Sequence, residues 1–122
     1  MYKNSIVNIF YQNRRIQARL ADNFFSRLRG LLWSKPINQS EGLLIVPCNS
    51  IHTIGMQYAI DIVFLSPDFQ VVHIATYCQP SKFFKHKQAK YTLVLLAGQA
   101  SVHDFKVGSQ LSLSKSNKNV NE

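Results

Sequence analysis

The chain has 122 residues, 46% hydrophobic and 16% charged, which is material for one domain with one core and too little for two. Its longest aliphatic runs, Leu43-Leu44-Ile45-Val46 and residues 93–97, exclude a transmembrane helix of roughly 20 apolar residues, and residues 1–8 lack the apolar stretch of about 7–15 residues that a secretory signal needs. The net charge of +8 divides into +6 over residues 1–40, −3 over 41–81 and +5 over 82–122, so the chain reads as a basic cytoplasmic protein whose charge speaks to association more than to a defined activity.

Residues 5–11 and 14–21 alternate apolar and polar side chains around Gln12-Asn13, the pattern of two strands joined by a polar turn. Asp22 is placed as an N-cap, with Phe24, Phe25, Leu28 and Leu31 or Leu32 at helical spacing after it, which predicts a short helix ending near Gly30. A loop over 34–42 leads into an apolar strand at 43–46 that Pro47 stops. Residues 60–65 and 70–77 predict a second hairpin across Ser66-Pro67-Asp68. Residues 80–90 read as a loop, 91–96 as a strand, 97–104 as a short helical segment and 111–113 as a final strand, with 114–122 a disordered tail. The expectation is one globular domain over 1–113 of the α+β class, rich in β: a compact, small barrel-like antiparallel sheet of six to eight short strands with two short helices.

Between two strongly apolar strands, the stretch 48–61 gathers Cys48, Asn49, Ser50, His52, Thr53, Met56 and Asp61. Polar side chains in such a place need partners or a purpose, and at the mouth of a small β-domain they make a candidate pocket for a small polar ligand. Taken singly they also have plain structural roles. Asp61 suits backbone N–H groups in a turn or bulge, His52 a neighbouring carbonyl, Asn49 and Ser50 a local turn, Gly55 a tight approach of backbone and Met56 the core.

The sequence EGLLIVPCNSIHTIGMQYAIDIVFLSPDFQVV, preceded by Arg29-Gly30-Leu31-Leu32 and followed by YTLVLLAGQA and VGSQL, resembles the family catalogued as domain of unknown function 192. The resemblance runs over residues 21–113 and implies a compact β-rich domain of bacteria and archaea, often secreted in its relatives, with no assigned activity. Gln57 and Ala59 stand where relatives of the Ile-His-Thr form carry Arg and Pro, and Gly108-Ser109 replaces a Gly-Asp turn. If that Arg contacts an anionic ligand in relatives, the contact is lost here.

Three other chemistries compete. Cys48, His52 and Met56 are a thiolate, an imidazole and a thioether, a set that favours a soft metal. Four-residue steps on extended chain lie roughly 13 Å apart, however, so the sequence predicts no metal centre and no cofactor. A cysteine-dependent enzyme would use Cys48 as nucleophile, a His as base and Asp61 to orient it, although no Lys or Arg neighbours Cys48 in sequence to activate it. Cys48 and Cys78 are too isolated for a disulfide framework or a zinc ribbon. A nucleic-acid-binding module would use Lys82, Lys85, Lys87 and Lys90, interleaved with Phe83, Phe84 and Tyr91, and Arg14, Arg15 and Arg19 on the first hairpin. The plain alternative is a solvated loop with Phe83 and Phe84 tucked into the core. Expected partners are therefore a small-molecule ligand or nucleic acid, with the chain a monomer or weak dimer.

Overall fold

A computed structural model describes residues 6–21 and 37–115. The first hairpin forms as the alternation requires: β1 (Ile6–Tyr11) pairs antiparallel with β2 (Arg14–Ala21), and Gln12 takes φ 56° in the turn. β3 (Glu41–Ile45) lies parallel to β2. β4 (Ser50–His52) leaves the sheet, β5 (Ile60–Leu65) returns to it, and β6 (Val71–Cys78) folds back on β5. After β7 (Phe83–Lys85), β8 (Tyr91–Leu96) runs antiparallel between β5 and β3. The chain then makes one turn of helix, α1 (Gln99–Val102), and β9 (Ser112–Lys115) pairs with β1. Seven strands form one curled sheet, half a barrel, in the order β6-β5-β8-β3-β2-β1-β9, while β4 and β7 pair apart as a two-stranded ribbon.

The central strands read as continuous apolar runs because both of their faces are covered. On one face Leu43, Ile45, Ile60, Ile62, Phe64 and Val94 pack with Cys48, Ile51, Met56 and Cys78. On the other, Leu44, Val63, Leu65, Leu93 and Leu95 meet Val7, Ile9 and Ile16 of the curled hairpin and Ala100, Phe105 and Leu111 of the α1 segment. Gly42 lets β3 press against β8: a Cβ there would sit 3.0 Å from the Leu93 and Leu95 side chains and 3.2 Å from the Val94 carbonyl. A bridge between Gln70 and Gln110 ties the β5–β6 turn to the strap that follows α1.

Several expectations need correction. The seven strands of the curled sheet fall within the expected six to eight, and among the described residues the ribbon adds two three-residue strands that are too short for alternation to reveal. The sheet is not wholly antiparallel, since the long connection over 22–40 gives β3 room to return beside β2 in the same direction. One short helix is present among the described residues rather than two. The helix expected after Asp22 lies outside them, and α1 is shorter than the 97–104 segment expected. Strand β9 runs to Lys115, past the expected limit of 113; residues 116–122 lie outside the described set.

His103, just beyond α1, is buried with its ring 5.6 Å from that of Phe105. Burial first, and the charge of Arg14 second, hold its pKa below the ordinary 6.5. The unfolded chain therefore takes up this proton more readily, so this contribution is intact above about pH 6.5 and is lost as pH falls toward the folded value. His103→Gln should flatten the decline of Tm between about pH 7 and 5; curves that stay parallel would show that the imidazole is not responsible.

Candidate functional site

The ribbon gives the 48–61 stretch its geometry. Its register sets Ser50 opposite Lys85, Ile51 opposite Phe84 and His52 opposite Phe83. Because side chains alternate along a strand, Ile51 and Phe84 turn inward onto the core and the other four face out. His52 and Phe83 meet across the ribbon with ring centroids 4.7 Å apart. Phe83 is 54% exposed and Ile54, two residues after His52, 60%.

Thr53 fastens the ribbon's end. Its backbone N–H donates to the Lys82 carbonyl at 2.8 Å, and its Oγ1 accepts the Lys82 N–H at 2.7 Å while donating to the Gln79 carbonyl at 2.8 Å. The Thr53 carbonyl accepts from Ser81 and Met56. At the other end the Cys48 N–H donates to the Lys90 carbonyl, and the Thr92 hydroxyl donates to the Cys48 carbonyl at 2.9 Å.

Asp61 lies inside the sheet, fully buried on β5. Its Oδ1 accepts the Tyr77 N–H at 2.9 Å, and its Oδ2 accepts the N–H groups of Gly98 at 3.0 Å and Ala100 at 2.9 Å. Two of these residues are in left-handed backbone, Tyr77 at φ 50° and Gly98 at φ 94°. For a bulky residue such as Tyr77 that conformation is uncommon and must be held by its surroundings. The left-handed φ at 98 favours glycine, and a Cβ there would also stand 2.8 Å from the Tyr77 hydroxyl, which would have to move aside. Beside them, burial and then the charge of Asp61 push the Cys78 thiol up to about 11, which keeps it protonated and inert near neutral pH.

The structure thus divides the candidate residues. Cys48, Thr53, Met56 and Asp61 are buried; Cys48 donates its thiol to the Ser50 carbonyl at 3.1 Å, Met56 fills the core, and Thr53 and Asp61 are engaged by backbone. Asn49 and Ser50 are half-buried and His52 is exposed, and their side chains make no hydrogen bond among the described residues. Ser50 and His52 share the ribbon with Asn49 just before it, while Asp61 lies apart on the sheet. Of the basic set, Lys82 and Lys85 sit on or beside β7, and Lys87 and Lys90 on the loop that follows. Arg14, Arg15 and Arg19 sit on β2, where Arg14 approaches His103 and Arg19 approaches Tyr58. Sequence reasoning missed Phe83 as an outward residue paired with His52. It also missed a stack of His73 and His86, 5.5 Å apart, each 6.2 Å from Phe64.

Residues 6–113 match the model of the family DUF192, described as "Uncharacterized ACR". A UPF0127 protein of Pyrococcus furiosus is 33% identical over 103 residues, covering 80% of this chain and 86% of that protein. A UPF0127 protein of Thermococcus sibiricus is 29% identical over 101 residues, covering 78% of this chain and 64% of its own, longer length. Two solved structures share the fold. A protein of unknown function from Novosphingobium aromaticivorans superposes with TM-score 0.71 at 19% identity, over 88% of this chain and 83% of that one. A candidate transcription regulator from Sinorhizobium meliloti superposes with TM-score 0.74 at 18% identity, over 88% and 92%. No helix among the described residues is long and apolar enough to cross a membrane.

Proposed function

Because this chain belongs to the uncharacterised DUF192 family, we propose its function from the site alone: it is a binding domain that holds a small polar ligand on the outer face of the ribbon. Ser50 and His52 are the polar contacts, Asn49 flanks them, Phe83 is the flat apolar platform and Lys85 supplies positive charge. The observation that carries this reading is the contrast within one short stretch. Thr53 and Asp61 spend their polar atoms on backbone, whereas Asn49, Ser50 and His52 keep theirs for solvent or a ligand. Ile51, buried, and Phe84, packed against the core, anchor the two strands that carry the outer side chains.

Native mass spectrometry of the chain isolated under gentle conditions tests this. The wild-type protein should carry a reproducible adduct that His52→Ala and Phe83→Ala both lose. These positions are exposed, so both variants should stay folded. A wild-type spectrum holding the bare mass alone, or an adduct that both variants retain, would remove the site from consideration.

A further inference from the structure

The segments that build the ribbon carry charge of one sign. No Asp or Glu occurs in residues 42–60 or 69–103, while Lys82, Lys85, Lys87 and Lys90 fall within nine consecutive positions. All four lysines are exposed, and among the described residues the ion pair present is Lys106–Asp104, on the far strap. The four ammonium groups therefore have no carboxylate partner there. They are also spread out: Lys82 and Lys85 are separated by about 10 Å of extended chain, and Lys87 and Lys90 lie on the turn that follows, where the Ala89 N–H donates to the His86 carbonyl. One small anion reaches only part of such a track.

Set into it is the pair of exposed rings, His52 and Phe83, at 4.7 Å. Exposed cationic side chains recurring through one short segment with an exposed aromatic among them match a single-stranded nucleic acid, whose phosphates recur along the strand and whose bases are free to stack. A duplex offers the phosphates but hides the base faces. We infer that the ribbon's outer face and the following lysine loop bind single-stranded nucleic acid, with a base on the His52–Phe83 rings and phosphates along Lys82, Lys85, Lys87 and Lys90. This rests on the reading of the ribbon's outer face as the binding site and replaces a free small ligand by a repeating one.

Fluorescence anisotropy with a labelled twelve-nucleotide oligo(dT) tests it on the full chain. With three or four phosphate contacts, Kd should rise about 20- to 50-fold between 50 and 200 mM salt. Phe83→Ala should weaken binding about 5- to 150-fold, the loss of one stacked base. A variant with all four lysines changed to Gln should bind weakly with a shallow salt dependence, and a duplex of equal length should compete poorly. The inference is overturned by a duplex binding as tightly as the single strand, by an unchanged Kd in Phe83→Ala, or by anionic phosphatidylserine vesicles binding where the oligonucleotide does not. Thymidine 5′-monophosphate binding as tightly as the oligonucleotide, and lost in His52→Ala, would overturn the strand but keep the site as a small-ligand one. If neither nucleotide probe binds, the strand inference fails, and the adduct in native mass spectrometry decides the site separately.

Discussion

Asp61→Asn should lower the stability of the fold by about 2–4 kcal/mol, read as a drop in the urea midpoint with the slope unchanged. The carboxylate accepts three backbone N–H groups from two separate segments, one at Tyr77 and two at Gly98 and Ala100. Asparagine keeps the shape but has one oxygen. Facing that oxygen toward Gly98 and Ala100 points its amide at the Tyr77 N–H, donor against donor, and the two bonds that survive lose their charge assistance. A buried donor left without a partner costs about 1–3 kcal/mol by itself. For a domain whose whole stability is of order 5–15 kcal/mol, this is a large fraction. Asp61→Ala orphans all three amides and should not accumulate as folded protein. Amide exchange should locate the damage first at Tyr77, whose left-handed backbone loses its restraint. A midpoint shift worth less than about 1 kcal/mol would mean that water satisfies these amides and that Asp61 is not the clasp described here.

The second large effect is expected at Thr53. Thr53→Val replaces the hydroxyl by a methyl of similar volume and leaves the backbone bonds of residue 53 intact. It orphans the Lys82 N–H and the Gln79 carbonyl, both served by Oγ1. The cost should be about 1–3 kcal/mol. Thr53→Ser, which restores the hydroxyl, should stay closer to the wild type, and that difference isolates the hydrogen bonds from the packing. Equal losses in the two variants would mean that the methyl contact, which only Thr53→Ser removes, matters as much as the hydroxyl's hydrogen bonds; no loss in Thr53→Val would overturn the role given to the hydroxyl. Since the hydroxyl holds residues 79–82 against the end of β4, Thr53→Val should also broaden the His52 and Phe83 resonances in NMR spectra.

The two hairpins were legible because their alternation and turns are local, and β8 because six apolar or β-forming residues stand between turns. The parallel return of β3 beside β2 was not. Partner choice there depends on how the 22–40 connection crosses, which no spacing within either strand encodes. The ribbon escaped for another reason: Lys-Phe-Phe-Lys fits either a loop with both rings tucked in or a strand with one in and one out. Only the pairing with Ser50-Ile51-His52 decides, and it puts Phe84 in and Phe83 out. At Asp61 the sequence offered a ligand contact or a backbone acceptor without choosing. Its partners are amides 16, 37 and 39 positions away, and an amide has no side-chain signature to read. His52 was singled out for its chemistry, whereas its neighbour Phe83, invisible as a partner at this separation in sequence, completes the surface.

The pairing of β9 with β1 sets an order of assembly. Val7 lies opposite Lys115, so β1, made before every other strand described, obtains one of its two neighbours only after all of those strands have been translated. During that interval β1 has β2 on one side and nothing on the other, an open edge able to recruit strands from other nascent chains. Pairings so distant along the chain also form slowly once they are possible. A stalled or prematurely ended translation product would therefore resemble a finished sheet over most of its width and yet be prone to aggregate along that edge, which places the burden of quality control on the last few residues to dock.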